Sequence, residues 1–219
     1  MTGAAGAMGR AVVAALQDDG LKVVGLDVKG ECLRCDVSDV AAVRKAVREI
    51  GPVDVLVNNA GILSNHKTEA TTTEEWRKVL AANLDGVFYL AREVIPGMKA
   101  RRWGRIVNTC SLAAKTGGLT AGTAYAASKG GLTSLTFSLA RELAPFGVTV
   151  NGISPAYVNT PMVTEGLTEA QRQALLAQIP VGRFCEPEEF AHVVRFLVSP
   201  LAGFITGEIV DLNGGLVMD

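Results

Sequence analysis

Short runs of β-branched and aliphatic residues alternate along this chain with longer segments whose apolar positions recur every three to four residues. The short runs predict strands over 22–26, 32–35, 53–58, 105–110, 148–153 and 208–212. The longer segments predict helices over 7–18, 40–50, 73–99, 123–144, 169–177 and 187–198. The third helix opens on Thr73-Glu74-Glu75, a helix-entry signal, and is expected to bend near 83–86. Strands alternating with helices indicate an α/β chain with a parallel sheet covered by helices. No linker, repeat or low-complexity tract interrupts the pattern, so residues 1–219 read as one domain.

Two places depart from a regular alternation. Between Asp27 and Asp36 there is no room for a crossover helix. The chain also opens on Met1-Thr2-Gly3, directly on a glycine-rich loop with no strand before it. The expectation is that the start lies inside a longer reading frame or that the chain is truncated. A native mass matching residues 1–219 would refute this.

Composition narrows the class. The chain has 219 residues, 48% hydrophobic and 20% charged, enough for a substantial core, and its net charge of −1 offers no nucleic-acid footprint. The one basic cluster, Lys99, Arg101, Arg102 and Arg105, falls at a predicted helix end, where cations complement the helix dipole. No apolar run approaches the roughly 20 residues that span a bilayer, and no signal peptide is recognisable, so a cytoplasmic protein is expected. Cys32-Leu33-Arg34-Cys35 has the spacing of a redox or zinc pair. It lacks a second ligand pair, so it reads as a short strand carrying two small apolar residues, and no metal is expected. His66 and His192 are isolated and read as surface or packing residues.

The first chemical signal is the loop from Thr2 to Gly9. Gly3, Gly6 and Gly9, with Met8 between, lead straight into a helix, whose N-terminal N–H groups and dipole suit a pyrophosphate. Asp27 closes the next strand at about the 20-residue distance of a carboxylate that holds a ribose 2′-hydroxyl. That carboxylate would repel a 2′-phosphate, and Val28 rather than an arginine follows it. NAD is therefore expected in preference to NADP, with Lys29 close enough to keep NADP as the alternative. The second signal is Tyr125-Ala126-Ala127-Ser128-Lys129. Four positions on a helix bring Tyr125 and Lys129 to one face, about 6 Å apart along the axis. A fixed ammonium favours a phenolate and lowers the phenol pKa from near 10 toward a working range.

Together these motifs resemble the short-chain dehydrogenase/reductase family from Thr2 to the C-terminus. Asn58-Asn59-Ala60-Gly61 resembles the family's element beside the cofactor, Asp36-Val37 its adenine-contacting pair, and Asn83 its helix asparagine. Residues 105–111 resemble the strand that delivers the catalytic serine, here Ser111. Ser154-Pro155-Ala156-Tyr157-Val158-Asn159-Thr160 resembles the nicotinamide-side loop, with Ala156 where the family usually has glycine. Phe204-Ile205-Thr206-Gly207, Asp211 and Asn213-Gly214-Gly215 resemble its last strand and turn. Ala7 replaces another glycine, a change commonly tolerated.

The resemblance implies a Rossmann-like doubly wound sheet that apparently lacks its first strand. It also implies a cofactor site of Gly3, Gly6, Met8, Gly9, Asp27, Asp36, Val37, Asn59, Ala60, Gly61, Tyr125, Lys129, Pro155, Val158 and Thr160. Ser111 would bind the substrate oxygen, Tyr125 would exchange its proton, Lys129 would hold the nicotinamide ribose, and Asn83 would support a water relay. Leu112, Ala113 and Tyr157, with a substrate segment over about 156–187, would contact the substrate. The expected reaction interconverts a secondary alcohol (a sugar, polyol or small alcohol) and its ketone with NAD. A 3-oxoacyl carrier-protein reductase is the alternative, disfavoured by Phe146 where such reductases tend to be basic. A silent NAD-binding scaffold is the reading from another class. A homotetramer or homodimer is expected from the Ala/Leu-rich helices carrying Asn83 and Tyr125.

Overall fold

The computed structural model describes residues 1–165 and 168–218. In chain order it contains α1 (Ala7–Asp18), β1 (Leu26–Asp27), β2 (Leu33–Arg34), α2 (Val40–Ile50), β3 (Val55–Asn58) and α3 (Thr73–Leu80). A π-helical turn (Ala81–Asp85) leads into α4 (Gly86–Arg101), followed by β4 (Gly104–Thr109), α5 (Ala113–Thr116) and α6 (Thr123–Leu143). Then come β5 (Val148–Pro155), α7 (Pro161–Thr164), α8 (Glu169–Leu176), α9 (Pro187–Val198) and β6 (Ile209–Leu212).

The strands β3-β4-β5-β6 form one parallel sheet in that order. Parallel neighbours need crossovers, and helices supply them between each consecutive pair. Alternation along each strand sorts the core onto two faces. Leu56, Ile106 and Val150 pack with Leu90, Val94 and Met98 of α4 and Leu139 and Leu143 of α6. Their strand neighbours Val57 and Val107, with Ile153, pack with Val12 and Leu16 of α1 and Phe190, Val194 and Leu197 of α9. All of β4 and β5 is buried, as expected for strands covered on both sides. This is a Rossmann-like, doubly wound α/β fold.

Local chemistry explains most boundaries. Asp39 caps α2 by accepting from the Ala41 and Ala42 N–H groups, and Gly51, at φ 80°, ends it. Pro187 starts α9 at a position where its missing N–H costs nothing. At the other end of α9 the Arg105 guanidinium, 3% exposed, donates to the Ser199 and Pro200 carbonyls. The basic residue at the start of β4 therefore caps the C-terminus of α9. The anticipated bend of the 73–99 helix is the π turn at Ala81–Asp85. An extra residue per turn there breaks the regular i−4 ladder.

Two strand expectations are corrected. The 22–26 strand shrinks to Leu26–Asp27, and 32–35 shrinks to Leu33–Arg34. They pair as a separate two-stranded sheet. Strand propensity needs a partner. On the side of β1 facing β3, Met1 and Thr2 supply an isolated bridge from Thr2 to Leu26, a bond from the Met1 ammonium to the Val24 carbonyl at 2.8 Å and one from the Thr2 N–H to the Val57 carbonyl, short of a full ladder. No strand precedes α1 among the described residues. No helix among them is long and apolar enough to cross a membrane.

Candidate active site

The glycine-rich end of the candidate site is built around Thr2, which sequence reasoning left out of the site. Its side chain is buried at 1% exposure, and its hydroxyl oxygen accepts from the N–H groups of Asn59 and Ala60, both at 3.0 Å. The Asn59 amide in turn donates to the Gly3 carbonyl at 3.2 Å. The glycine loop and the Asn58–Gly61 segment are thereby locked across the C-terminal end of β3. Gly3 has φ +66°, and a Cβ there would lie 2.8 Å from the Asn59 amide nitrogen. At Gly9 a Cβ would lie 2.0 Å from the Gly3 carbonyl oxygen. Gly6 precedes α1 with no side-chain cap, so the first-turn N–H groups of Ala7, Met8 and Gly9 have no cap from it. A close-packed glycine cradle below uncapped helix N–H groups fits the pyrophosphate of a dinucleotide.

Asp27 ends β1 beside this loop. Its carboxylate accepts from the Ala5 N–H at 3.0 Å, the Val28 N–H at 2.8 Å and the Lys29 N–H at 3.2 Å. Asp36 turns to its own segment and accepts from the Ser38 backbone and hydroxyl, while Val37 is buried against Gly86.

The second cluster gathers residues from four elements. Lys129 on α6 is 3% exposed and donates to the Thr109 carbonyl at the end of β4 at 2.7 Å. Its ammonium lies 5.7 Å from the Tyr125 ring centroid, so the helical spacing does bring the pair together. Tyr125 is half-buried. Ser111 follows β4 directly, is 8% exposed, and its oxygen accepts from the Ala113 N–H at 3.2 Å. Asn83, fully buried on the π turn, exchanges bonds with the Ile62 backbone and donates to the Ser128 hydroxyl at 3.1 Å. Ser128 donates onward to the Tyr125 carbonyl at 2.7 Å.

Both N–H groups of the Asn83 amide are thus engaged within the protein, and the side chain braces 62 against α6. Ser128 was not singled out from sequence, although its place between Tyr125 and Lys129 was a usable signal. A buried chain from Asn58 to Asn108 and on to Thr136 ties β3, β4 and α6 together beneath the cluster.

Around the rim, Pro155 at the end of β5 accepts from the Leu112 N–H at 3.1 Å. Val158 is buried and bridges Cys185, and Thr160 is the residue before α7. Leu112 and Ala113 are buried at 5% and 8% exposure, leaving them little surface to offer a substrate. Tyr157 reaches toward Thr120, 3.4 Å between hydroxyl oxygens, and stacks obliquely on Phe184. Beside Tyr157 lies a cavity of about 150 Å³, lined also by Ile179, Arg183, Cys185, Glu189 and Asn213. The Arg183 guanidinium there holds the Glu189 carboxyl down to about 2, and burial pushes the Cys185 thiol up to about 11. Cys185 is therefore no nucleophile at neutral pH. Residues 166 and 167 of the 156–187 substrate segment lie outside the described residues. All four cysteines are free, and among the described residues no cluster of His, Cys, Asp or Glu is arranged to hold a metal.

A doubly wound sheet, a glycine cradle at a helix N-terminus and a Tyr–Lys pair beside a strand-end serine define a nucleotide-dependent oxidoreductase of the Rossmann-like class. A family model described as enoyl-(acyl carrier protein) reductase matches residues 3–217. The chain belongs to the short-chain dehydrogenase/reductase family, whose members bind a nicotinamide cofactor. It is 40% identical to a 3-oxoacyl-[acyl-carrier-protein] reductase of Vibrio cholerae, covering 100% of this chain and 96% of that relative. An acetoacetyl-CoA reductase of Rhizobium meliloti is 38% identical, covering 98% of this chain and 96% of the relative. A crystal structure of a 3-oxoacyl-[acyl-carrier protein] reductase from Brucella melitensis superposes with a TM-score of 0.94 at 36% identity, covering 100% of this chain and 90% of that one.

Proposed function

We propose that this enzyme interconverts a 3-oxoacyl thioester and the corresponding 3-hydroxyacyl thioester, using NAD(H). The observation that carries the carbonyl chemistry is the buried Lys129 ammonium beside the Tyr125 ring, on a helix that begins close after Ser111. The thioester comes from the relatives, whose names specify 3-oxoacyl and acetoacetyl groups on carrier protein or coenzyme A. That kinship favours this substrate class over the sugar, polyol or small alcohol expected from sequence.

When bound, the nicotinamide supplies or accepts the hydride at the carbinol carbon. In reduction, the Ser111 hydroxyl donates a hydrogen bond to the ketone oxygen and stabilises the charge that develops there. The Tyr125 phenol gives its proton to the same oxygen, so C=O becomes CH–OH. Lys129 favours the resulting negative charge on the phenolic oxygen through its own charge. Gly3 and Gly9 let the loop pack tightly against Asn59 and α1, leaving the first-turn N–H groups of α1 to hold a pyrophosphate, and Asp27 would receive a ribose hydroxyl.

NAD is preferred because residues 3–9 carry no cation and β1 ends in an acid. The Arg10 guanidinium, just after the loop, donates to the Ala5 carbonyl. Asp27→Asn is expected to lower the NADH-to-NADPH ratio of kcat/KM by about tenfold or more, because a carboxylate no longer opposes the 2′-phosphate. Steady-state rates with both cofactors measure this.

The second reading, a small secondary-alcohol dehydrogenase, is favoured by Phe146. Its ring is covered by the Lys99 ammonium, 4.6 Å from the centroid, where a carrier-protein reductase would tend to have a basic residue. The deciding assay follows NADH absorbance with acetoacetyl-CoA and, in parallel, with NAD and a panel of polyols and secondary alcohols. Turnover of acetoacetyl-CoA well above the panel supports the thioester reading. Turnover confined to the panel overturns it, and a blank throughout with NAD still bound returns the scaffold reading. We place the reaction in the cytoplasm, consistent with four free thiols. We further propose association through α3, α4 and α6, which leave Trp76, Phe88 and Phe137 at 38–47% exposure. A monomer by light scattering would refute it.

A further inference from the structure

Tyr125 sits in the first turn of α6, the part of a helix most prone to fray, and Gly122, the residue before that helix, provides no side-chain cap. The caps come instead from a segment more than 50 residues away in sequence. The Gly122 N–H donates to the Ser64 carbonyl at 2.7 Å and the Thr123 N–H to the His66 carbonyl at 3.1 Å. The fit is tight: a Cβ on Gly122 would lie 2.2 Å from the His66 oxygen. A single carboxylate ties the side chains of Ser64 and His66 together, while the Thr71 hydroxyl also donates to the His66 carbonyl at 3.1 Å. Glu75 accepts from the Ser64 hydroxyl at 2.6 Å with one oxygen and pairs with His66 Nδ1 at 2.7 Å with the other. Glu75 is itself anchored in the first turn of α3, where its N–H donates to the Thr72 hydroxyl at 3.1 Å. Lys67 continues the same clasp, donating to the Gly118 and Ala121 carbonyls at 3.1 and 2.7 Å just before α6.

We propose that Glu75 is a positioning residue for catalysis: it fixes the carbonyls that cap α6 and so holds Tyr125 against its substrate. The carboxylate contacts neither the glycine loop nor Asp27, so its effect falls on the proton-transfer step and leaves cofactor binding alone. The inference rests on Tyr125 being the proton donor. Ser64 is 6% exposed and Glu75 half-buried, so the bond between them is partly shielded from solvent.

The test compares wild type, Glu75→Ala, Ser64→Ala and Tyr125→Phe, using acetoacetyl-CoA reduction by NADH, or the best substrate of the panel if wild type is inert toward acetoacetyl-CoA. Glu75→Ala is expected to lose about ten- to a hundredfold in kcat, with the dissociation constant for NADH unchanged within about twofold. Ser64→Ala, which removes one of the two contacts, should lose less in the same direction. Hydrogen exchange at the Gly122 and Thr123 amides should accelerate in both variants. An unchanged kcat in Glu75→Ala overturns the proposal. So does a loss of kcat that leaves exchange at those two amides untouched, or one matched by weaker NADH binding. If Tyr125→Phe keeps wild-type kcat, the reading of Tyr125 fails and takes the clasp with it. If Tyr125→Phe is inactive while Glu75→Ala is not, the clasp alone fails.

Discussion

Tyr125→Phe is expected to lower kcat by about 10²- to 10⁴-fold, the range that a positioned general acid–base contributes. The substitution removes one hydroxyl and keeps the ring, which is half-buried on α6, so the fold and the glycine cradle should be preserved. The dissociation constant for NADH, followed by its fluorescence, should therefore stay within about twofold of wild type. The split between the two readouts is what assigns the proton to Tyr125. The Lys129 ammonium would remain in place, because its bond is to the Thr109 carbonyl and not to the phenol. A Tyr125→Phe enzyme that turns over normally would move the proton donor elsewhere and leave the Tyr–Lys pair a packing feature.

The second large effect is expected at the other end of the site. Gly9→Ala places a methyl 2.0 Å from the Gly3 carbonyl oxygen and 2.8 Å from the Ala4 Cα, both backbone atoms that cannot rotate away. The loop must lift from α1. The displaced Gly3 is joined to β3 through the Asn59 amide and the Thr2 hydroxyl, so the shift spreads to Asn59 and Ala60. Overpacking of this kind costs about 1–3 kcal/mol, which for a domain of this size lowers Tm by several degrees, at about 2–4 °C per kcal/mol. NADH affinity should fall by about tenfold or more, since the amide groups facing the pyrophosphate no longer converge. Thermal melts with and without NADH measure both effects. A variant that melts and binds like wild type would show that the loop is not a rigid cradle. Ala7 stands where related loops often carry glycine, whereas Gly9 has no room for that change.

Much of the fold and of the site's outline was readable from local pattern. Helices α1, α2 and α9 fall at the anticipated bounds because amphipathic period, Asp39, Gly51 and Pro187 are all signals within one turn of the helix end. The spacing of Tyr125 and Lys129, the glycine loop and Asp27 are likewise local. The strands were less legible: 22–26 has the composition of a strand, but only Leu26 and Asp27 find ladder partners. The substrate class was not legible at all, since the rim residues Leu112, Ala113 and Tyr157 carry no chemistry specific to a thioester or a polyol.

By itself, then, the sequence determined which segments could be helices and which residues could do chemistry, because those depend on periodicity and side-chain type over a few neighbours. Tertiary structure decided what those residues are attached to. Thr2 became the pin between loop and sheet because its hydroxyl meets Asn59 and Ala60, 57 and 58 residues away. Lys129 was aimed by a carbonyl of β4, 20 residues upstream, and Asn83 was drawn to Ile62 and Ser128 by the π turn. Tyr125 owes its helix cap to carbonyls of Ser64 and His66. Such hydrogen bonds form only once distant backbone groups are brought within about 3 Å in a buried setting where each must find a partner. No pattern along the chain encodes that requirement.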